Sequence, residues 1–258
     1  MPLVSVVMPA HDAAGTLASS IRSVQAQSHP DWELLVTDDG STDETWAMLT
    51  DAARLDSRIR PERSDRQLGA AGARNAAIRR ARGAYVALLD ADDLWLADKL
   101  TKQLAFATEQ HAPVTFTSYY KVAADFTGDA RDFVPNGRVV PARAELTYAT
   151  LLRQNYIGCL TGMYSVTALG KRFMPDLRKR QDYGLWLSLL RDGTVARGLD
   201  EPLALYRQQR AGSLSGSSRL SLVKYNWELY RRVERLSLPR SVWALGQATV
   251  RSTLKRRI

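Results

Sequence analysis

The chain has 258 residues, 45 % of them hydrophobic and 24 % charged, which suffices for an ordinary globular core and excludes intrinsic disorder as the main state. Its net charge of +9 comes almost wholly from residues 219–258, which carry ten basic and two acidic side chains, so a groove that tracks nucleic acid along the main body is not expected. The single cysteine, Cys159, excludes a disulfide framework and a cysteine-rich zinc module, and it favours a reducing, cytoplasmic compartment.

Hydrophobic periodicity predicts alternating strands and helices over the first ninety residues. The apolar run 3–10 follows no basic segment and meets His11 and Asp12 at once, so it is predicted to be a strand and not a secretory signal. The predicted strands and helices are, in chain order, strand 4–8, helix 16–28, strand 32–37, helix 42–55, a short strand near 59, helix 70–82 and strand 85–89. This alternation indicates a parallel sheet covered on both faces.

The remaining chain gives weaker signals. We predict helix 97–109, strand 114–119, an irregular polar segment 121–145, helix 183–190 and strand 203–207. The uncharged run 154–170 is interrupted by polar residues and is shorter than the roughly 20 apolar residues of a membrane span, so we interpret it as buried protein.

Polar loops follow three of the predicted strands, at the edge where open α/β sheets bind ligands. The loops are Pro9-Ala10-His11-Asp12, Asp38-Asp39-Gly40-Ser41-Thr42-Asp43 and Asp90-Ala91-Asp92-Asp93. Paired carboxylates such as Asp90 and Asp92, directly after an apolar strand, attract a hard divalent cation of the Mg²⁺ or Mn²⁺ type. The alternative is that Asp92 or Asp93 caps the next helix.

The second loop has both a structural and a functional interpretation. Ser41-Thr42-Asp43-Glu44 matches a capping box. That pattern leaves Asp38 and Asp39 unexplained at the end of a strand, where a carboxylate can accept hydrogen bonds from a nucleobase or a ribose.

A third acidic position, Asp182, follows the basic triplet 178–180 at the start of an apolar helix. It is either a helix N-cap or a general base that accepts a proton from a hydroxyl group. The sequence motifs of three other enzyme classes are absent. No histidines have the spacing of a zinc site, and no Gly-x-Ser-x-Gly occurs. The glycine-rich segment 69–75 lacks the dinucleotide-binding fingerprint. A zinc enzyme, an α/β-hydrolase and a dehydrogenase are therefore disfavoured.

Five motifs, in order and at matching spacing over about residues 3–216, resemble those of the family 2 glycosyltransferases. They are Ser5-Val6-Val7-Met8-Pro9-Ala10, Asp38-Asp39-Gly40-Ser41-Thr42-Asp43, Ala71-Gly72-Ala73-Arg74-Asn75, Leu88-Leu89-Asp90-Ala91-Asp92-Asp93 and Gln181-Asp182-Tyr183. The resemblance implies a GT-A fold, an α/β architecture with a Rossmann-like, mostly parallel central sheet flanked by helices. The domain would cover 1–216, with a nucleotide-binding half 1–95 and an acceptor half 96–216, and a basic helical tail would cover 217–258.

The resemblance also implies roles for single residues. Nucleotide binding falls to Pro9, Ala10, Asp38, Asp39, Arg74 and Asp90, with Asp38 supporting its loop and Arg74 approaching the diphosphate. Asp90 and Asp92 match the metal-binding Asp-x-Asp motif, with Asp92 the more direct ligand of Mg²⁺ or Mn²⁺. Asp182 occupies the position of the catalytic base.

The chain departs from the family pattern after the last predicted strand. Many relatives resemble Tyr-Arg-x-His there, whereas this chain has Tyr206-Arg207-Gln208-Gln209-Arg210 and offers no histidine. Arg207 and Arg210 are candidates for holding phosphate by charge. The glycines and serines of 212–216 suit a mobile lid.

The expected function is inverting transfer of one sugar from a nucleotide-diphosphate sugar, by default a UDP-sugar, to a glycan acceptor such as a lipid-linked precursor of a surface polysaccharide. Alternatives are glycoside hydrolysis by two carboxylates and a non-catalytic, GT-A-like binding protein at the membrane surface. The tail mixes basic residues with tryptophan and leucine, as interfacial helices do, which predicts a peripheral site on the cytoplasmic face of the membrane. Its alternative is a helical hairpin, split at Pro239, that packs on the domain.

Overall fold

The computed structural model describes residues 1–123, 125–126, 128–135, 137–208 and 219–254, without the side chains of 219–222 and 251–254. A ten-stranded sheet forms the centre of this described part. Its strands are β1 (Val4–Ala10), β2 (Trp32–Asp38), β3 (Ile59–Arg63), β4 (Tyr85–Leu88), β5 (Leu94–Trp95), β6 (Val114–Val122), β7 (Arg138–Val140), β8 (Glu145–Leu146), β9 (Met163–Ser165) and β10 (Ala196–Arg207). The helices are α1 (Ala14–Gln25), α2 (Thr45–Leu55), α3 (Gly69–Arg80), α4 (Lys99–Glu109), α5 (Tyr148–Leu151), α6 (Val166–Leu169), α7 (Gln181–Leu190), α8 (Arg219–Glu228) and α9 (Leu238–Leu254).

The sheet has the strand order β3-β2-β1-β4-β9-β6-β10-β5, with β7 on β6 and β8 on β10. The long pairings, β1 with β2 and β6 with β10, are parallel, and the shorter pairings of β5, β7, β8 and β9 are antiparallel. The predicted α/β architecture is thus confirmed. The strand order reverses between β1 and β4, and a ligand crevice is expected at such a switch point.

Both faces of the sheet are covered because successive side chains of a strand point to opposite sides. Val6 and Leu34 belong to one hydrophobic cluster, whereas their neighbours Val7 and Leu35 belong to another. The uncharged run 154–170, predicted to be buried, contributes β9 between β4 and β6. The periodicity did not predict this strand, since three residues are too few to show a period.

The capping box predicted at the start of α2 is wrong. The helix begins at Thr45, and the Thr45 amide donates a hydrogen bond to Asp43 Oδ1 at 2.9 Å. The other oxygen of Asp43 accepts from the Ala14 amide at 3.0 Å. Asp43 thus ties the starts of α1 and α2 together. The Ser41 hydroxyl, which a capping box would direct to the helix, donates to Asp38 instead.

The C-terminal segment packs on the domain, as the hairpin alternative predicted. A five-residue π-helical segment, Leu229–Val233, continues α8, and Leu229 and Tyr230 are fully buried in the core. The Tyr230 hydroxyl donates to the Leu152 carbonyl at 2.9 Å. The helices separate before Pro239, which lies in the first turn of α9, where its missing amide costs nothing. Among the described residues, no helix is long and apolar enough to cross a membrane.

Lys99, on α4, is fully buried without an ion pair among the described residues. Its Nζ donates to Gln103 Oε1 at 2.6 Å and lies 4.2 Å from the ring centroid of Trp95. Burial lowers the pKa of Lys99 from 10.5 to about 7. The folded state therefore binds fewer protons than the unfolded state between about pH 7 and 10.5, and stability must rise with pH across this window.

We expect Lys99→Met to remove this pH dependence. The variant should unfold at higher denaturant than wild type at pH 6.5, since each pKa unit corresponds to about 1.4 kcal/mol. The gain should shrink at pH 9.5, where the wild-type amine is neutral when folded. Urea unfolding at both pH values measures the difference in stability between the variant and wild type. The exposed Lys102, replaced by Met, is the control. Equal pH slopes in wild type and Lys99→Met would contradict the assignment.

Candidate active site

Two cavities open next to each other at the carboxyl ends of the strands. The larger, of about 690 Å³, is lined by the loops after β1 and β4 and by the start of α3. The smaller, of about 390 Å³, is lined by the segment 155–160 and the start of α7. Asp90 and Gln181 line both cavities. A ligand in one cavity can therefore meet a ligand in the other at these two residues.

The larger cavity contains most of the predicted nucleotide-binding residues. Pro9, Ala10 and Asp39 line it. Asp39 is buried, and its carboxylate accepts hydrogen bonds from the amides of Leu68 at 2.5 Å and Gly69 at 2.9 Å. The same carboxylate thus fixes the N-terminus of α3 and faces the cavity.

Asp38 lines neither cavity and is fully buried behind the loop. Its Oδ1 accepts from the Ser41 amide at 3.2 Å and from the Ser41 hydroxyl, and its Oδ2 lies 3.2 Å from the Arg63 Nε. These contacts hold the turn after β2 in place. Direct contact of Asp38 with a nucleotide would require the loop to rearrange.

Three carboxylates crowd together after β4. Oxygen atoms of Asp90, Asp92 and Asp93 lie within 4.8 Å of one another. Asp93 is buried, and its burial together with the charges of Asp92 and Asp90 raises its pKa well above the ordinary value. A bound divalent cation would relieve this crowding, and all-oxygen ligands are what Mg²⁺ and Mn²⁺ prefer, so the residues fit such an ion. The helix-capping alternative is wrong, because the strand Leu94–Trp95 follows.

Arg74 lies at the boundary of the two cavities. Its guanidinium forms an ion pair with Asp90 Oδ1, is almost wholly buried, and lines the smaller cavity only. The neighbouring carboxylate holds the pKa of Arg74 above its ordinary value despite the opposing effect of burial. The approach of Arg74 to a diphosphate stays a prediction, and in the structure its charge is paired with Asp90.

Asp182 lines the smaller cavity as the second residue of α7, so it is not the N-cap residue. Burial raises its pKa above the ordinary 3.8, although Arg74 and Arg180 act in the opposite direction. Asn155 Nδ2 donates a hydrogen bond to Asp182 Oδ2 at 3.2 Å. A carboxylate with a raised pKa in a cleft is well suited to accept a proton.

The prediction that Arg207 holds phosphate is wrong. Arg207 is buried, and its guanidinium donates to the Asp92 carbonyl at 2.6 Å, the Phe126 carbonyl at 2.9 Å and the Ser19 hydroxyl at 2.8 Å. Its amide donates to Asp93 Oδ1 at 3.1 Å. Arg207 therefore positions the acidic loop from behind. Arg210 and the lid segment 212–216 lie outside the described residues.

Several cavity residues were not predicted from the sequence. Besides Asn155, the smaller cavity is lined by the rings of Tyr119, Tyr156, Tyr206 and Tyr225 and by the cations Lys179 and Arg180. They come from β6, the irregular segment after α5, β10, α8 and the loop before α7. Only the topology brings these distant positions together. The resemblance, which ends near residue 216, gave no role to Tyr225.

Comparisons with known proteins point to one family. The family model described as glycosyl transferase family 2 matches residues 5–173. A putative teichuronic acid biosynthesis glycosyltransferase, TuaG of Bacillus subtilis, is 40 % identical over 255 residues, which cover 99 % of this chain and 98 % of the relative. The Escherichia coli protein WfgD, named as a UDP-Glc:alpha-D-GlcNAc-diphosphoundecaprenol beta-1,3-glucosyltransferase, is 33 % identical over 88 % of this chain and 85 % of its own.

Solved structures share the fold at low sequence identity. TarS 1–349 of S. aureus in complex with UDP-GlcNAc superposes with a TM-score of 0.72 at 18 % identity, over 96 % of this chain and 71 % of that one. The Pyrobaculum calidifontis mannosyltransferase PcManGT, solved with GDP-Man and Mn²⁺, gives a TM-score of 0.67, over 96 % and 73 %. The expected GT-A architecture is confirmed, and the expected C-terminal helices are present. With its motifs, fold and family match in agreement, the chain belongs to glycosyltransferase family 2.

Proposed function

We propose that this chain is an inverting glycosyltransferase that moves one sugar from a UDP-sugar to a lipid-linked glycan precursor. The observation that carries the proposal is the pair of adjoining cavities that share Asp90 and Gln181. One of them ends at an acidic cluster suited to a divalent cation, and the other contains a buried carboxylate suited to proton transfer. These are the donor and acceptor sides of a single displacement.

The relatives support the donor and the acceptor class. WfgD is named for transfer from UDP-Glc to a diphosphoundecaprenol-linked GlcNAc, and TarS was solved with UDP-GlcNAc. We therefore assign the nucleotide to the larger cavity, with Pro9, Ala10 and Asp39 beside the base and ribose. The domain of 1–216 would hold the donor chemistry mainly in its first 95 residues.

Asp92 and Asp90 would hold a Mg²⁺ or Mn²⁺ ion, with Asp92 the more direct ligand. When bound, such an ion neutralises the negative charge that grows on the departing diphosphate. On the protein side, Asp182 accepts the proton of the acceptor hydroxyl as its oxygen attacks, and Asn155 fixes the carboxylate by its 3.2 Å hydrogen bond. One attack from the face opposite the leaving group inverts the anomeric carbon and needs no covalent intermediate.

A donor panel tests the proposal. Purified protein is incubated with UDP-Glc, UDP-GlcNAc, UDP-Gal, GDP-Man and a dTDP-sugar, with Mg²⁺ or EDTA, and a synthetic alkyl diphospho-GlcNAc acceptor. With one of the UDP-sugars and Mg²⁺, we expect glycosylated acceptor and free UDP to form in equal amounts. With EDTA, neither product should form. Nucleotide binding without product from any donor would favour the non-catalytic alternative, and cleavage of a glycoside without nucleotide would favour a hydrolase.

We also propose that the tail contacts the cytoplasmic face of a membrane through one side of α9. Val242 is 57 % exposed and Trp243 48 %, whereas Ser241 and Ala244 on the other side are fully buried. An apolar face on a strongly basic segment is typical of helices that bind anionic lipid. The segment as a whole cannot be deleted for a test, because Tyr230 belongs to the core.

We expect the double substitution Val242→Ser with Trp243→Ser to lower co-sedimentation with phosphatidylglycerol vesicles by about tenfold or more, as expected for losing two buried apolar side chains. Transfer to a short-chain, water-soluble acceptor should not change. Leu55→Ser, at a still more exposed apolar position on α2, serves as the control. Equal sedimentation of both variants and wild type would rule out a membrane role for this face.

A further inference from the structure

The smaller cavity contains cationic groups that the proposed proton transfer does not use. Lys179 and Arg180 line it, both half-buried, directly before Asp182. They line the smaller cavity alone, whereas the acidic cluster residue Asp92 lines only the larger one. These two cations are thus separated from the expected place of the donor diphosphate.

Of these two cations, Arg180 is the better candidate for binding an anion. Its backbone has φ 70° and ψ 20°, a left-handed conformation that residues other than glycine seldom adopt. Its guanidinium makes no hydrogen bond or ion pair with any residue in the part of the chain that the structure describes. The carboxylate of Asp182 is near enough to interact with this guanidinium through charge, but no described side chain accepts a hydrogen bond from its N–H groups. An anionic ligand in the cavity would accept hydrogen bonds from them.

Aromatic rings line the same cavity as the two cations. The Lys179 Nζ lies 6.0 Å from the ring centroid of Tyr225, which α8 contributes to the cavity. On another side of the cavity the Arg143 guanidinium stacks 4.0 Å from the ring centroid of Tyr156. Tyrosine rings suit the apolar faces of a sugar and offer a hydroxyl for its polar edge, whereas adjacent cations suit phosphate oxygens.

We propose that Lys179 and Arg180 bind the diphosphate of the acceptor, so that the acceptor sugar lies between this diphosphate and Asp182. This inference rests on the proposed function and extends it to the recognition of a sugar diphosphate, as distinct from an uncharged glycan end. Two neighbouring cations match two linked phosphates better than they match a single carboxylate. Tyr225 gives the C-terminal helices a part in acceptor binding.

Calorimetry with decyl diphosphate, after the larger cavity is saturated with UDP and Mg²⁺, tests the proposal without knowledge of the acceptor sugar. We expect wild type to bind it and Arg180→Asn, which tolerates the left-handed backbone, to bind it about tenfold to a hundredfold more weakly. Arg180→Lys should recover most of the affinity. Arg54→Asn, on the exposed face of α2, is the matched control and should bind like wild type.

The failures of the two proposals are distinguishable. Unchanged binding of decyl diphosphate by Arg180→Asn and Lys179→Gln, or no binding by wild type, would overturn the acceptor subsite while UDP binding still supports the donor site. Failure of UDP itself to bind would overturn the proposed function. If Arg180 acts only on the pKa of Asp182, Arg180→Asn will shift the pH profile of turnover and leave the decyl diphosphate affinity intact.

Discussion

Replacing Asp182 with Asn should reduce turnover by about 100-fold to 10,000-fold, the range typical for loss of a general base. Binding of UDP should not change, because Asp182 lines only the smaller cavity. The wild-type rate should rise with pH as the carboxyl group ionises, with a midpoint above the ordinary 3.8 because burial raises the pKa of Asp182. This acid limb should be missing from the Asn variant.

Stability separates lost chemistry from lost folding in this experiment. Since the folded-state pKa of Asp182 is raised, the ionised carboxylate disfavours folding at neutral pH, and its neutral isostere should unfold at the same temperature as wild type or higher. Asp192→Asn, in the exposed turn after α7, is the control for both measurements. An Asp182→Asn variant that keeps wild-type turnover would assign the proton transfer to another group.

Replacing Asp92 with Ala should weaken metal-dependent UDP binding, by at least the roughly 10-fold to 100-fold typical for the loss of groups around a metal. Asp92 is the exposed member of the acidic cluster and lines the larger cavity. With EDTA present, wild type and variant should bind UDP equally weakly, because the carboxylate acts through the ion. Calorimetric titration of UDP with and without Mn²⁺ measures both quantities.

The exposed Asp65 replaced by Ala is the control for charge, since it lies outside both cavities. Equal metal-dependent affinity in Asp92→Ala and wild type would show that the ion binds elsewhere or that no ion is used. Turnover should fall together with UDP affinity in Asp92→Ala but not in Asp182→Asn. That contrast separates the two roles.

The sequence predicted the half of the site that consists of short segments following strands. Asp39 and Asp90 each lie just past a strand predicted from an apolar run, and the carboxyl ends of parallel strands meet at one edge, so their proximity follows from periodicity alone. The five motifs also placed Asp182 opposite them, through the resemblance. The fold class followed from the same alternation of strands and helices.

The acceptor side was not predictable in the same way. Asn155 and Tyr156 lie in an irregular segment with no period, and Tyr225 approaches from the tail only because α8 packs on the domain. Arg207 shows the opposite error: its charge and position near the last strand suggested phosphate binding, but long-range hydrogen bonds to Asp92 and Ser19 bury it. Contacts between residues over 100 positions apart leave no local pattern.

Crystals grown or soaked with UDP and Mn²⁺, with data collected to locate anomalous scattering from manganese, test the central claim most directly. A manganese peak beside Asp92, with uracil near Asp39 and the diphosphate directed toward the opening shared with the cavity of Asp182, is the predicted result. Nucleotide in the smaller cavity, or manganese bound away from the three carboxylates after β4, would contradict it.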